Sequence, residues 1–183
     1  MNIKFRSHLG LLILLLSAIV SVANGQAIEN TDPANEFYRL TKASADAFGA
    51  RDYSNAKELS RRLLIEAELW KKNWNYGNAT HTANLVLGRV ALIEGDIDGA
   101  KTFLLEAGKT TGSPQLNSFG PDMLFASEML KRGEKETVLR YFDLCAKFWP
   151  ARFSKLDEWK ASIAKGETPH FGANLRYIFS SEN

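Results

Sequence analysis

Cysteine is nearly absent: Cys145 is the only one among 183 residues, so no internal disulfide can form, even in a compartment that permits one. Stability must then come from packing. Residues 24–183 are long enough for that, since a chain of this size buries roughly 70% of its unfolded surface. Charge of one sign is lacking too. Residues 1–23 hold Lys4 and Arg6 and no acidic residue, and without them the 23 basic residues fall to 21, matching the 21 acidic ones. The pI near 8.6 therefore comes from the first 23 residues. A balanced remainder offers no electrostatic reason to expect nucleic acid or anionic lipid as a partner. Short basic pairs such as Arg61-Arg62, Lys71-Lys72 and Lys131-Arg132 read as solvated helix faces.

Long apolar runs are lacking after the first. Leu9 to Ala23 follows the basic start, contains Leu11-Leu12-Ile13-Leu14-Leu15-Leu16, and ends in small residues Ser21 and Ala23 around Val22. That layout predicts a signal peptide over 1–23 with cleavage after Ala23, and hence an exported product, periplasmic or secreted. The run falls short of the roughly 20 residues a spanning helix needs. No cysteine stands at the cleavage point for lipid attachment, so no membrane association is expected after cleavage.

What is present is helical periodicity. Apolar residues recur at three and four positions along nearly the whole chain, predicting an all-α fold of about seven helices. Asp32 caps and Pro33 opens a first helix reaching about Ala50. Asp52 caps a second, whose Ala56, Leu59, Leu63, Ala67, Trp70 and Trp74 draw one stripe. A third runs to Gly95, a fourth from Asp96 to Gly108, a fifth from Pro121 to Arg132, a sixth over Glu134–Phe148, and a seventh follows Pro150 with Ser154 and Asp157 in capping-box spacing. Residues 109–120, rich in turn formers and without period, predict the longest internal loop. The helical domain spans 24–165, and residues 166–183, which include Leu175, Tyr177, Ile178 and Phe179, form a tail that packs on it.

Three turns repeat a theme: Arg51-Asp-Tyr-Ser-Asn-Ala56, Gly95-Asp-Ile-Asp-Gly-Ala100 and Gly133-Glu-Lys-Glu-Thr-Val138 each separate two apolar helices. Around the second, Leu87, Gly88, Gly95, Ala100 and Ala107 supply small and apolar residues where two helices press together. This set resembles a tetratricopeptide repeat, over residues 37–149. The turns recur after 44 and then 38 residues against a family period of roughly 34, and Asn84 stands where the motif opens on a large aromatic. The resemblance implies stacked antiparallel helical hairpins in a short solenoid. It also implies a ligand groove on the first, third and fifth helices with Tyr38, Thr41, Ala45, Leu85, Arg89, Met123 and Ser127. Leu85 and Ala45 stand where some members place a carboxylate clamp, which disfavours a C-terminal carboxylate as ligand.

Sites of chemistry fare less well. Glu94-Gly-Asp96-Ile-Asp98-Gly99 begins like a calcium loop, but Leu105 occupies the closing acidic position. Gly108-Lys109-Thr110-Thr111 lacks the earlier glycine of a phosphate-binding loop. Ser113, Pro114, Gln115, Asn117 and Ser118 in the long loop could contact a ligand, although plain connection accounts for them better. Cys145 shares a helix face with Val138, Phe142 and Trp149, the place of a core cysteine. His81 and His170 alone leave a zinc site short of ligands. His81 reads as a surface residue, or one facing a groove. Asn78-Ala79-Thr80 fits the N-glycosylation pattern. No metal or cofactor is expected. The sequence thus predicts an exported, non-catalytic helical-repeat module binding a protein or peptide. The alternatives are a hydrolase with a carboxylate site in a helical cleft, and a small-molecule or lipid carrier built on the aromatic clusters.

Overall fold

A computed structural model of the chain describes residues 33–150 and 153–175. Residues 1–23, which the sequence reads as a signal peptide, the expected Asp32 cap and the apolar group Tyr177-Ile178-Phe179 lie outside the described residues. Every regular element described is helical, as the periodicity predicts: α1 (Pro33–Gly49), α2 (Tyr53–Leu69), α3 (Tyr76–Glu94), α4 (Ile97–Gly108), α5 (Pro114–Phe119), α6 (Leu124–Lys131), α7 (Lys135–Cys145), α8 (Phe153–Ala164) and a closing 3-10 turn, Gly172–Leu175. No described helix is long and apolar enough to cross a membrane.

The repeated turns do what their residues suggest. Asp52 accepts a hydrogen bond from the Asn55 amide (3.3 Å) and Asp96 one from the Gly99 amide (2.9 Å), each satisfying an otherwise orphaned donor at a helix start. Gly95 closes α3 at φ 84°, a left-handed conformation that costs glycine nothing. The third turn departs from the pattern, because Glu134 precedes α7 without a side-chain cap. Arg51 also adopts a positive φ of 62° between α1 and α2, where a side chain is tolerated at some cost.

Residues 109–120 correct the expectation of a structureless loop. Ser113 accepts from the Leu116 amide at 3.0 Å, Pro114 occupies the first turn, and the short α5 results. Its six residues are too few to register as a period. The fifth predicted helix correspondingly starts at Leu124 instead of Pro121, and the sixth ends at Cys145 instead of Phe148.

Helices adjacent in sequence pack as pairs, α1 with α2 and α3 with α4, and α3 also lies against α1 and α2. Further along, α4 meets α7, α6 meets both α3 and α7, and α8 lies on α7. Small residues allow the close approaches. At Gly88 a Cβ would run into the Phe125 ring of α6, and at Gly108 one would come within 2.9 Å of Leu144 Cβ on α7. Phe37, Leu40 and Leu63 fill the core under α1 and α2, while Phe125, Tyr141, Phe142 and Trp159 fill the larger one beneath α4, α6, α7 and α8. Each such fully buried side chain contributes about 1.5–3 kcal/mol. The chain after α8 returns onto this body: the Trp159 indole donates to His170 O (3.2 Å), Phe171 is buried against that indole, and Asn174 donates to the Phe119 and Pro121 carbonyls, both at 3.0 Å.

Candidate functional site

The seven groove residues implied by the repeat resemblance part company. Leu85 and Met123 are fully buried, and Ala45 and Ser127 are 8% exposed, so these four are interior positions and line no open surface. The reason lies in α3, which is flanked on so many sides that every residue from His81 to Gly88 is buried. Tyr38 and Thr41 are half-buried on α1. The Tyr38 hydroxyl accepts from the Asn73 amide (3.0 Å) and its ring stacks on Trp74, 5.7 Å between centroids, while Thr41 turns its hydroxyl back to Phe37 O. Both are occupied in joining α1 to its own surroundings.

Arg89 is different. Its Nε and Nη2 donate to the two carboxylate oxygens of Glu128 on α6, at 2.9 and 2.7 Å, and its guanidinium carbon sits 4.4 Å from the ring centroid of Phe48 on α1. One planar cation thereby touches three helices, through a forked ion pair and a cation–π contact. Beside it, the C-terminal turns of α3 and α6 leave a notch of about 280 Å³ lined by Arg89, Leu92, Ile93, Glu128, Lys131 and Arg132. Ile93 is 52% exposed although it is a large aliphatic side chain. Phe48, Ile93, Glu128, Lys131 and Arg132 were not among the residues the repeat resemblance implied. A spacing of three to four residues from Arg89 and Glu128 along each helix would have pointed to Leu92, Ile93, Lys131 and Arg132.

The groups with the most reactive chemistry are withdrawn into the interior. His81 is neither on the surface nor in a groove: it is fully buried, donates from Nδ1 to Ala107 O (2.9 Å) and sets its ring edge against Phe148. Burial pushes its pKa down to about 4, only partly opposed by the Ala107 hydrogen bond. Nε2 finds no partner among the described residues. Cys145 is fully buried, and desolvation raises its pKa well above the ordinary thiol value despite a contact with the Tyr141 hydroxyl. Such a thiol stays protonated and unreactive. Among the described residues no group of three His, Cys, Asp or Glu side chains could hold a metal. In the calcium-like segment, Asp96 is spent on its cap and Asp98 pairs with Lys101 at 3.3 Å.

Asn78 and the 109–117 segment form one polar seam. Asn78 Nδ2 donates to Asn75 Oδ1 (2.9 Å) and Gln115 Oε1 (3.0 Å), and its Oδ1 accepts from Ser113 Oγ (2.6 Å). Thr110 Oγ1 donates to Gly77 O at 2.9 Å, and Gly77 has no room for a Cβ because the Gly112 carbonyl lies against it. Thus Ser113 and Gln115, read in the sequence as potential ligand contacts, are engaged in holding their loop to α3. Asn78 Nδ2, the atom a glycan would join by replacing one hydrogen, already donates to two acceptors.

The aromatic clusters differ from one another. Phe142, Trp149, Trp159 and Phe171 pack ring against ring, with centroid separations from 4.9 to 6.2 Å. Trp74, by contrast, is 54% exposed. No family model, no curated protein and no solved structure matches the chain.

Proposed function

We propose that the chain is an exported, non-catalytic helical-repeat module, tetratricopeptide-like in its hairpins, that binds a protein or peptide on the face shared by α1, α3 and α6. The observation that carries this is the Arg89 junction: α1, α3 and α6 meet around one guanidinium, and α3 and α6 leave an open notch beside it. Burial of His81 and Cys145 supports a binding role over a chemical one. The mutual packing of the C-terminal rings supports a macromolecular partner over an enclosed apolar ligand. The repeat-like character draws on Gly88, set tightly against the Phe125 ring, and on Ala100 and Ala107, both fully buried. Export draws on the sequence of residues 1–23 alone.

Affinity capture tests the proposal, using mature chain as bait in an extracytoplasmic extract of its own host and Ile93→Asp as the control bait. A partner chain retained by the wild type and lost by the variant is the expected result. Equal recovery on both baits, or turnover of a peptide or glycan substrate abolished by a single Asp or Glu substitution, overturns it.

A further inference from the structure

The notch beside Arg89 has an electrostatic bias that the chain as a whole lacks. Beyond residue 23 basic and acidic residues are equal in number, yet the notch lining holds three cations and one carboxylate. That carboxylate, Glu128, already spends both oxygens on Arg89. The acidic residues nearest in sequence are committed elsewhere, Glu94 to Lys57 (2.5 Å) and Glu134 to Lys101 (3.3 Å). Lys131 and Arg132 are therefore left exposed with no carboxylate in ion-pair range among the described residues. Lys131 also answers the negative end of the α6 dipole, but that does nothing to account for Ile93, which stands across the notch with half its surface in water.

An exposed aliphatic side chain flanked by unpaired cations has a defined complement: an apolar group next to a carboxylate. The size points the same way. About 280 Å³ lies below the roughly 300–1,000 Å³ of sites that enclose small molecules, and suits one anchoring side chain of a larger partner. We infer that the notch receives an acidic segment of a partner protein, seating one apolar side chain against Leu92 and Ile93 and a carboxylate between Lys131 and Arg132. This inference rests on the binding function proposed above and names the chemistry of its partner.

Fluorescence anisotropy on the full mature chain tests it, with a labelled twelve-residue peptide of alternating Leu and Glu and its counterpart with Lys in place of Glu. The Glu peptide binds, more tightly at low salt. Lys131→Glu with Arg132→Glu weakens it at least tenfold and transfers preference to the Lys peptide, and Ile93→Asp weakens both. Equal binding of the two peptides, no binding of the Glu peptide, or indifference to the charge reversal overturns the inference. So does displacement of the Glu peptide by phosphatidylglycerol vesicles but not by phosphatidylcholine ones, which would assign the notch to a lipid surface. If the charge reversal has no effect while a captured partner still depends on Ile93, the acidic specificity falls and the binding function stands. Loss of the Ile93 dependence removes the binding function itself.

Discussion

The Phe125 ring lies directly on Gly88, so that a Cβ at position 88 would meet ring atoms Cε1 and Cζ and approach Phe103 Cβ to 3.0 Å. Through this contact α6 is seated on α3. Gly88→Ala gains about 0.5–1 kcal/mol of intrinsic helix stability but must displace an aromatic ring in a filled core, at a cost of about 1–3 kcal/mol. The sterics win. Urea denaturation should show a net loss in Gly88→Ala, and Phe125→Leu should cost less in that background than in the wild type. Additive losses would mean the ring is free to move aside.

Arg89 and Glu128 present a second coupled pair. Their side chains are 12% and 27% exposed, so removing one leaves the other poorly solvated, and truncation costs more than at a surface pair. A double-mutant cycle with Arg89→Ala and Glu128→Ala should return a coupling of about 1–2 kcal/mol. Arg89→Lys keeps the charge but loses the fork and the flat contact with Phe48, and should recover less than half of the loss.

His81 gives the stability a pH dependence with a defined sign. Its folded pKa of about 4 lies below the ordinary 6.5, so between those values the unfolded chain takes up a proton that the folded chain refuses. Stability from this group is complete above pH 6.5 and falls as the pH is lowered, by roughly 1.4 kcal/mol per pH unit and about 3 kcal/mol over the window. Below pH 4 it contributes no further change. Chemical denaturation from pH 7 to pH 4 should show the loss in the wild type, and His81→Gln should flatten it. Parallel pH profiles for the two proteins would contradict the burial argument.

Cys145 should be silent toward thiol reagents. Burial holds its thiol protonated and α7 shields it. Titration with a chromogenic disulfide at pH 8 should give no reaction in the folded protein and one equivalent in guanidinium chloride. Fast labelling of the native protein would mean that α7 opens far below the global unfolding free energy.

The residues that made the helices legible are local ones. Asp52, Asp96 and the glycines at 95 and 133 act within a turn of themselves, and an amphipathic stripe such as Ala56-Leu63-Ala67 needs only its own helix to be recognised. Where position depends on distant neighbours, sequence was a poor guide. Leu85 and Met123 fall on the expected groove by register, yet the packing of five helices around α3 closes it over them. His81 reads as a surface or groove residue because a polar ring near a helix start usually is one, whereas its observed partners, Ala107 and Phe148, lie far along the chain. Arg89, among the implied positions, stands at the edge of an open notch, and its value comes from Phe48 and Glu128, which no local pattern connects to it.

In an ideal solenoid each unit touches only the next, and such arrays can fray from one end while the rest persists. Here α3 is in contact with α1, α2, α4, α5 and α6 at once. A rod shared by that many neighbours cannot lose its outer layers piecemeal without stripping apolar surface from the middle. Melting should therefore be concerted, with van't Hoff and calorimetric enthalpies in agreement, and shortening the chain at either flank should erode the whole.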